Sequence, residues 1–315
     1  MKTTEPLITI VTISYNQASY IESTIKSVLN QSYSNIEYIV VDGGSTDGTI
    51  EILKRYEDRL KWISEKDRGP EDAVNKGFRM AHGDLLAWIA SDDEYLPGTF
   101  DTVANYFVQH PDVDMVYGRA SYIDPAGTVL FEYPTEKFDD KALAVYNIIC
   151  QPSVFFTRRA FFDAGELALD LNIASDYDLW IRISKLYAIR YIPQLFSYYR
   201  LHDDGRTLAF TDQLVRYREC LDITYKYYRW APANRIYPYC LYLLKQSLPP
   251  VLQVSETVVK LLAVVRSIYE YIKLNKRIRS EDVMLLPRNM KKILTAWELP
   301  DQVKLSSKKN GKSIK

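Results

Sequence analysis

One stretch constrains this chain more than any other. Leu85 to Gly98 runs Leu-Leu-Ala-Trp-Ile-Ala-Ser-Asp-Asp-Glu-Tyr-Leu-Pro-Gly. Its first half, Leu85 to Ala90, is continuously apolar and of strand length. That predicts a strand buried on both faces, in a mostly parallel sheet covered by helices. Ser91, Asp92, Asp93 and Glu94 follow at the carboxyl end of that strand, where open α/β sheets bind their ligands. Adjacent carboxylates repel unless something positive sits between them. A divalent cation that also holds a diphosphate meets that need, because Mg2+ takes one or two carboxylates together with substrate phosphates. The competing explanation is structural: the acids cap a helix begun at Pro97.

The flanking chain extends the α/β pattern. Leu7 to Ser14 is a β-rich run, followed by Tyr15-Asn16-Gln17 and by Ile21, Ile25, Val28 and Leu29 at helical spacing. A second strand, Ile36 to Val41, ends in Asp42-Gly43-Gly44-Ser45-Thr46-Asp47-Gly48. Ser45, Thr46 and Asp47 are good helix caps. Asp42 ends the buried strand before the turn, so ligand contact is favoured for it over a capping role. The glycines do not fit the G-x-G-x-x-G spacing, and the acid precedes them, which argues against a nicotinamide-dependent oxidoreductase.

After a short strand, Leu60 to Ser64, comes a turn with Asp67. The helix that follows carries Asp72, Asn75 and Lys76 on one face, which taken bare is a solvated face with an ion pair. A helix is predicted over Thr99 to His110. Strands are predicted over Val113 to Tyr117, Ala120 to Ile123, Val129 to Tyr133 and Val154 to Phe156. Ser175 is a natural N-cap for the next helix, and Asp176 and Asp178 in its first turn suit the helix dipole. Two further strands are predicted, Tyr187 to Ile192 and Phe196 to His202.

Composition narrows the class. The 315 residues are 47% hydrophobic and 25% charged, as in ordinary globular proteins. No apolar run is long enough to cross a membrane, and the polar N-terminus is not a signal peptide. Three cysteines without metal-ligand spacing point to reduced thiols in a cytoplasmic protein, and three histidines exclude a His-rich metal site. The net charge of zero hides an asymmetry. Residues 1–210 carry 20 Lys and Arg against 31 Asp and Glu, whereas residues 211–315 carry 20 against 9. The expected organisation is an α/β domain over 1–210, in halves of about 1–110 and 111–210. A basic helical region over 211–300 and a disordered basic tail over 301–315 follow.

Six motifs, in order, resemble the family 2 glycosyltransferases of the GT-A fold. They are Thr12-Ile13-Ser14-Tyr15-Asn16, Val40 to Thr49, Asp67 to Gly77, Ser91-Asp92-Asp93, Asp176 to Arg182, and Tyr199-Arg200-Leu201-His202. The resemblance covers residues 7 to 205 and is silent on 211–315. It implies metal-dependent, inverting transfer of a sugar from a nucleotide-sugar such as a UDP-sugar. The implied acceptor is a hydroxyl of a glycan or lipid-linked molecule, in cell-envelope or surface polysaccharide synthesis.

By the resemblance, Ser14, Tyr15, Asn16, Asp42, Asp67, Asp72, Asn75, Lys76, Ser91 and Asp92 border the nucleotide-sugar. Asp93 and His202 would hold Mn2+ or Mg2+. Asp176 would be the general base, with Asp178 the runner-up. Ser91 stands where the family has the first Asp of its Asp-x-Asp motif, and Ser175 where it often has Glu. The alternative is a silent nucleotide-sugar-binding protein of the same fold.

Within 211–315, apolar residues from Val258 to Ile272 fall in one helical arc, with charged residues opposite. Two readings compete, packing on the catalytic domain or in a dimer, and contact with an anionic membrane surface. Charge favours the second, which would place the protein peripherally at the inner face of the cell membrane. No nucleic-acid partner is expected.

Overall fold

A computed structural model of the chain describes residues 5–206, 213–248, 255–278 and Asp282. The expected disordered tail, 301–315, lies outside the described residues. The chain divides into two units, Met1–Leu208 and Ala209–Lys315.

The first unit is built on one mixed sheet. Its strands are β1 (Ile8–Ser14), β2 (Ile36–Asp42), β3 (Lys61–Ser64), β4 (Leu85–Ala90), β5 (Glu94–Tyr95), β6 (Met115–Ile123), β7 (Val129–Glu132), β8 (Val154–Thr157) and β9 (Ile189–Arg200). Their order is β3-β2-β1-β4-β8-β6-β9-β5, with β7 on the side of β6. The half β3-β2-β1-β4 is parallel throughout. The helices are α1 (Ile21–Leu29), α2 (Thr49–Lys54), α3 (Pro70–Met80), α4 (Thr99–Gln109), α5 (Asp140–Val145), α6 (Arg158–Asp163) and α7 (Ser175–Leu186).

Alternation along β4 explains how this strand is buried on both faces. Leu85, Ala87 and Ile89 enter a core with Ile21, Ile25 and Val28 of α1 and Phe100, Val103 and Phe107 of α4. Trp88 points the other way, onto Phe78 of α3 at 6.1 Å and Trp180 of α7 at 5.3 Å between ring centroids. No polar side chain interrupts the run, so the chain can carry charge only where the strand ends.

The acids that follow do not cap a helix. The N-cap of α4 is Gly98, at φ 77°, with no side-chain cap. Glu94 and Tyr95 instead form β5 and pair with Tyr198 and Ser197 of β9.

Two further expectations change. The strands predicted over Val113–Tyr117 and Ala120–Ile123 are one strand, β6, and those over Tyr187–Ile192 and Phe196–His202 are one strand, β9. Gly118 and Pro193 break the β pattern in sequence, but the chain absorbs the break as register shifts about Arg119 in a continuous β6–β9 pairing. Gly118 is there for space, since a Cβ on it would lie 2.4 Å from the buried ring of Phe196. Gly118→Ala should therefore destabilise the protein by about 1–3 kcal/mol, the usual cost of overpacking. A urea melt measures this, and an unchanged midpoint would refute the packing role.

The second unit holds α8 (Gln213–Tyr228), α9 (Ala233–Ser247) and α10 (Glu256–Asn275). Small cores join them: Leu221, Ala231, Ile236 and Cys240 form one, and Leu244, Val259 and Ala263 another. Asn275 clasps Ala231 with two 2.9 Å hydrogen bonds, one to its N–H and one to its carbonyl. Among the described residues no helix is long and apolar enough to cross a membrane.

Candidate active site

The parallel register lines up a polar row at the carboxyl ends of the strands. Ser14 pairs with Asp42, and Asp42 with Ser64. Asp42 is fully buried. Its Oδ2 accepts the N–H groups of Gly44 (3.0 Å) and Ser45 (2.8 Å) and the Ser64 hydroxyl (2.6 Å), and its Oδ1 accepts the Ser45 hydroxyl. The carboxylate thus builds the Gly43–Ser45 turn. That is the structural alternative to the ligand contact expected for Asp42, and Oδ1, which accepts one bond, keeps a lone pair for a further donor.

Asn16, in the left-handed region at φ 52°, ties the first loop to this turn. Its Oδ1 accepts Thr46 N–H (2.8 Å), and its own N–H donates to the Ser45 hydroxyl (2.7 Å). Tyr15 is left 63% exposed. A Cβ on Gly43 would touch both the Tyr15 ring and Asp67 Oδ2 at 3.4 Å, so this glycine sits between the two. The buried hydroxyl of Ser14, one strand end away, has no hydrogen-bond partner among the described residues.

The expected face of α3 is not solvated. Lys76 stays beside Asp67, with Nζ–Oδ1 2.5 Å, and also reaches Glu65 at 2.7 Å. Asp72 is buried and clamps the preceding turn, accepting Arg68 N–H, Nε and Nη2 at 2.9–3.2 Å. Asn75 is also buried and clasps Leu167, Nδ2 to carbonyl at 2.9 Å and N–H to Oδ1 at 3.0 Å. Asp72 and Asn75 thus hold neighbouring segments of this unit, whereas Asp67 and Lys76 lie beside the Tyr15–Gly43 loops.

At the end of β4 the acids separate. Ser91 is buried, and its N–H donates to Ile13 (3.1 Å). Asp92 Oδ2 meets His202 Nε2 at 2.8 Å. Asp93 is buried beneath, with one carboxylate oxygen accepting Arg200 N–H at 2.8 Å. Burial, and then the neighbouring Asp92, push its carboxyl well above the usual range. The expected pair was Asp93 with His202, whereas the structure pairs His202 with Asp92. The turn decides this: Asp93 N–H donates back to Ala90 (3.1 Å) and the side chain is buried, whereas Asp92 is only half-buried.

Arg200 holds the segment together. Its guanidinium donates to Asp92 O (2.9 Å), Asp124 O (3.1 Å), Pro125 O (3.2 Å) and Glu94, and lies over the Tyr20 ring. Tyr20 also packs on His202, at 4.6 Å between ring centroids. After His202 the chain folds back, with Gly205 N–H on His202 O at 2.9 Å. A Cβ on Gly205 would lie only 3.2 Å from His202 Nε2.

Among the described residues no three His, Cys, Asp or Glu side chains gather as a metal set. An Asp–His pair with a second, buried carboxyl group next to it fits a cation that completes its shell with phosphate and water.

Asp176 opens α7. Its Oδ1 accepts Tyr177 N–H at 2.7 Å. Burial pushes its carboxyl up to about 6, against the opposing pull of Tyr177 N–H and Arg206. Ser175, expected as the N-cap, lies in the first turn and donates to Glu71 Oε1 at 2.8 Å. Arg206 Nη1 reaches the same oxygen at 2.7 Å, so α3, α7 and the segment after β9 meet at Glu71. Asp178 is buried against Arg182, Oδ2 to Nε 2.7 Å. The buried thiol of Cys150, raised first by burial, is raised further by both Asp93 and Asp176.

Arg200 and Glu71 fall inside two of the motifs but were given no role there, and Arg206 and Tyr20 were not singled out. Their partners lie up to 135 residues away, and no local spacing marks them.

Residues 9–164 match the family described as Glycosyl transferase family 2. An uncharacterized glycosyltransferase of Rickettsia typhi is 28% identical over 228 residues, 68% of this chain and 70% of that protein. Chondroitin synthase of Escherichia coli is 26% identical over 210 residues, 66% of this chain and 31% of that protein. Among solved structures, S. aureus TarS 1–349 in complex with UDP-GlcNAc matches with a TM-score of 0.62 at 17% identity, covering 85% of this chain and 90% of that one. Mannosyltransferase PcManGT from Pyrobaculum calidifontis, in complex with GDP-Man and Mn2+, matches with a TM-score of 0.51 at 18% identity, covering 98% and 81%.

Proposed function

The chain belongs to glycosyltransferase family 2 through residues 9–164 and has a GT-A-type fold, and on that premise we propose a metal-dependent, inverting sugar transfer from a UDP-sugar to a hydroxyl of a glycan or lipid-linked acceptor. Synthesis of a cell-envelope or surface polysaccharide is the setting this reading suggests. One observation carries it: the Asp92–His202 pair, with Asp93 buried beside it, follows the end of β4. Nucleotide-sugars in the TarS and PcManGT complexes support the donor class.

Tyr15 and Asp67, either side of Gly43, receive the base. Ser14, Asn16 and Ser91 border the donor, Lys76 fixes Asp67, and Asp42 holds the turn in shape. Asp92 and His202 are the residues that would hold Mn2+ or Mg2+, with Asp93 behind them. Bound there, the cation would stabilise the charge of the departing diphosphate. Asp176 takes the proton of the acceptor hydroxyl as its oxygen attacks the anomeric carbon from the face opposite the breaking bond to phosphate. The nucleoside diphosphate leaves, and no covalent nucleophile is required.

A panel of UDP-sugars and GDP-mannose tests the reading by thermal shift and then by nucleotide release, with and without acceptor. A UDP-sugar should raise the melting temperature and yield UDP. Binding without release under any acceptor would make the chain a silent binder, and no response to any donor would end the proposal.

A further inference from the structure

Helix α10 carries two apolar faces. Val259 and Ala263 pack against Leu244 of α9, and Tyr271 and Leu274 against the Ile236 core. The opposite face packs on neither of these cores. Leu261, Leu262, Val265, Ile268, Tyr269 and Ile272 are each 40–67% exposed. Their three- and four-residue spacing makes one stripe about 17 Å long at the rise of an α-helix. Monomeric soluble proteins rarely leave so continuous an apolar surface uncovered.

The surroundings say what would cover it. Lys260, Arg266 and Lys273 flank the helix with side chains 51%, 41% and 59% exposed. Lys276 and Arg277 follow at its end, both exposed. Helix α10 carries two acids, Glu256 and Glu270, which pair with Lys260, Arg266 and Lys273, so its three cations leave a net positive charge to which Lys276 and Arg277 add. Residues 211–315 as a whole carry 20 Lys and Arg against 9 Asp and Glu. A second copy seated on the stripe would bring two positive rims together. An anionic lipid surface would neutralise them, at a stabilisation that grows with each basic residue near the surface. Lysine stems can lie along the apolar edge with their ammonium groups among the headgroups. Tyr269 can bury its ring and keep its hydroxyl wet.

We propose that α10 is an interfacial anchor, lying in the plane of an anionic phospholipid surface with the Leu261–Ile272 stripe inserted among the acyl chains. The readout is binding alone, so it stands or falls separately from the sugar-transfer reading.

Flotation of the full-length protein with phosphatidylcholine vesicles, with and without phosphatidylglycerol, tests it. The protein should float with the anionic vesicles at low salt, and high salt should weaken this. Leu261→Gln, Val265→Gln and Ile268→Gln combined replace exposed side chains, and should lower the bound fraction at least about tenfold at an unchanged melting temperature. If that variant unfolds, Lys260→Glu, Lys273→Glu and Lys276→Glu combined give the second reading, with a loss of about tenfold or more on anionic vesicles. Wild-type protein that stays in solution overturns the proposal, as does either folded variant floating like wild type. A wild-type dimer that fails to float, and that the glutamine variant converts to monomer, would assign the stripe to a second copy instead.

Discussion

Asp176→Asn should lower turnover by about 10²–10⁴-fold while donor binding stays near that of the wild type. Asparagine keeps the size of the side chain, and its amide oxygen can still accept Tyr177 N–H, the 2.7 Å bond that orients the group. What it lacks is the ability to take a proton. The pH dependence follows from the same burial. A carboxyl raised to about 6 is protonated below that value, so transfer should fall as pH drops through about 6 and hold above it.

Stability should move the opposite way from activity. A carboxyl raised in the folded state contributes stability below its ordinary value, and that contribution is lost as pH rises through about 6. At neutral pH the charged group is a cost, and asparagine removes it, so the variant should melt higher by up to about 3 kcal/mol in stability. Asp178→Asn should do the reverse. It leaves the Arg182 guanidinium, only 17% exposed, without its counter-ion, a loss of about 3 kcal/mol. Calorimetry and steady-state kinetics on both variants separate the roles. Near wild-type turnover in Asp176→Asn, with a folded but inactive Asp178→Asn, would move the base to Asp178.

The contrast between those two acids shows how far the sequence could be followed. Both sit in the first turn of α7, and the helix dipole explains either one equally. Arg182 lies four residues after Asp178, so that pair follows from helical spacing, whereas the fold alone brings Glu71 and Arg206, both remote in sequence, near Asp176. β4 was legible because its signal is local: an apolar run of strand length, cut off by acids. β6 and β9 were not, because their continuity depends on pairing with each other across Gly118 and Pro193.

The site was legible where residues lie at strand ends and illegible where partners are remote. Ser14, Asp42 and Ser64 fall into one row because parallel register puts them there. Asp72 and Asn75 looked like a solvated face because periodicity reports which residues share a side, not what covers it. Leu167, 92 residues on, covers Asn75.

Removing divalent cations should abolish transfer, and Mn2+ or Mg2+ should restore it. Asp92 and Asp93 are adjacent in sequence but differ in surroundings, and each has its own expected response. Asp92→Asn keeps the shape that meets His202 and removes the charge. It should weaken Mn2+ affinity, measured calorimetrically with UDP present, by at least about 10–100-fold, the loss already typical of partners one shell further out. His202→Ala should do the same. Asp93→Asn retains an oxygen for Arg200 N–H, so the buried amide is not left unpaired, a loss that Asp93→Ala would add at about 1–3 kcal/mol. It should weaken Mn2+ less than Asp92→Asn, because Asp93 is 2% exposed and already engaged, while Asp92 lies against His202. If Asp93→Asn weakens the metal and Asp92→Asn does not, the inward acid is the ligand and the Asp92–His202 contact is rearranged when the donor binds. If metal-free enzyme keeps full activity, neither acid holds a catalytic cation.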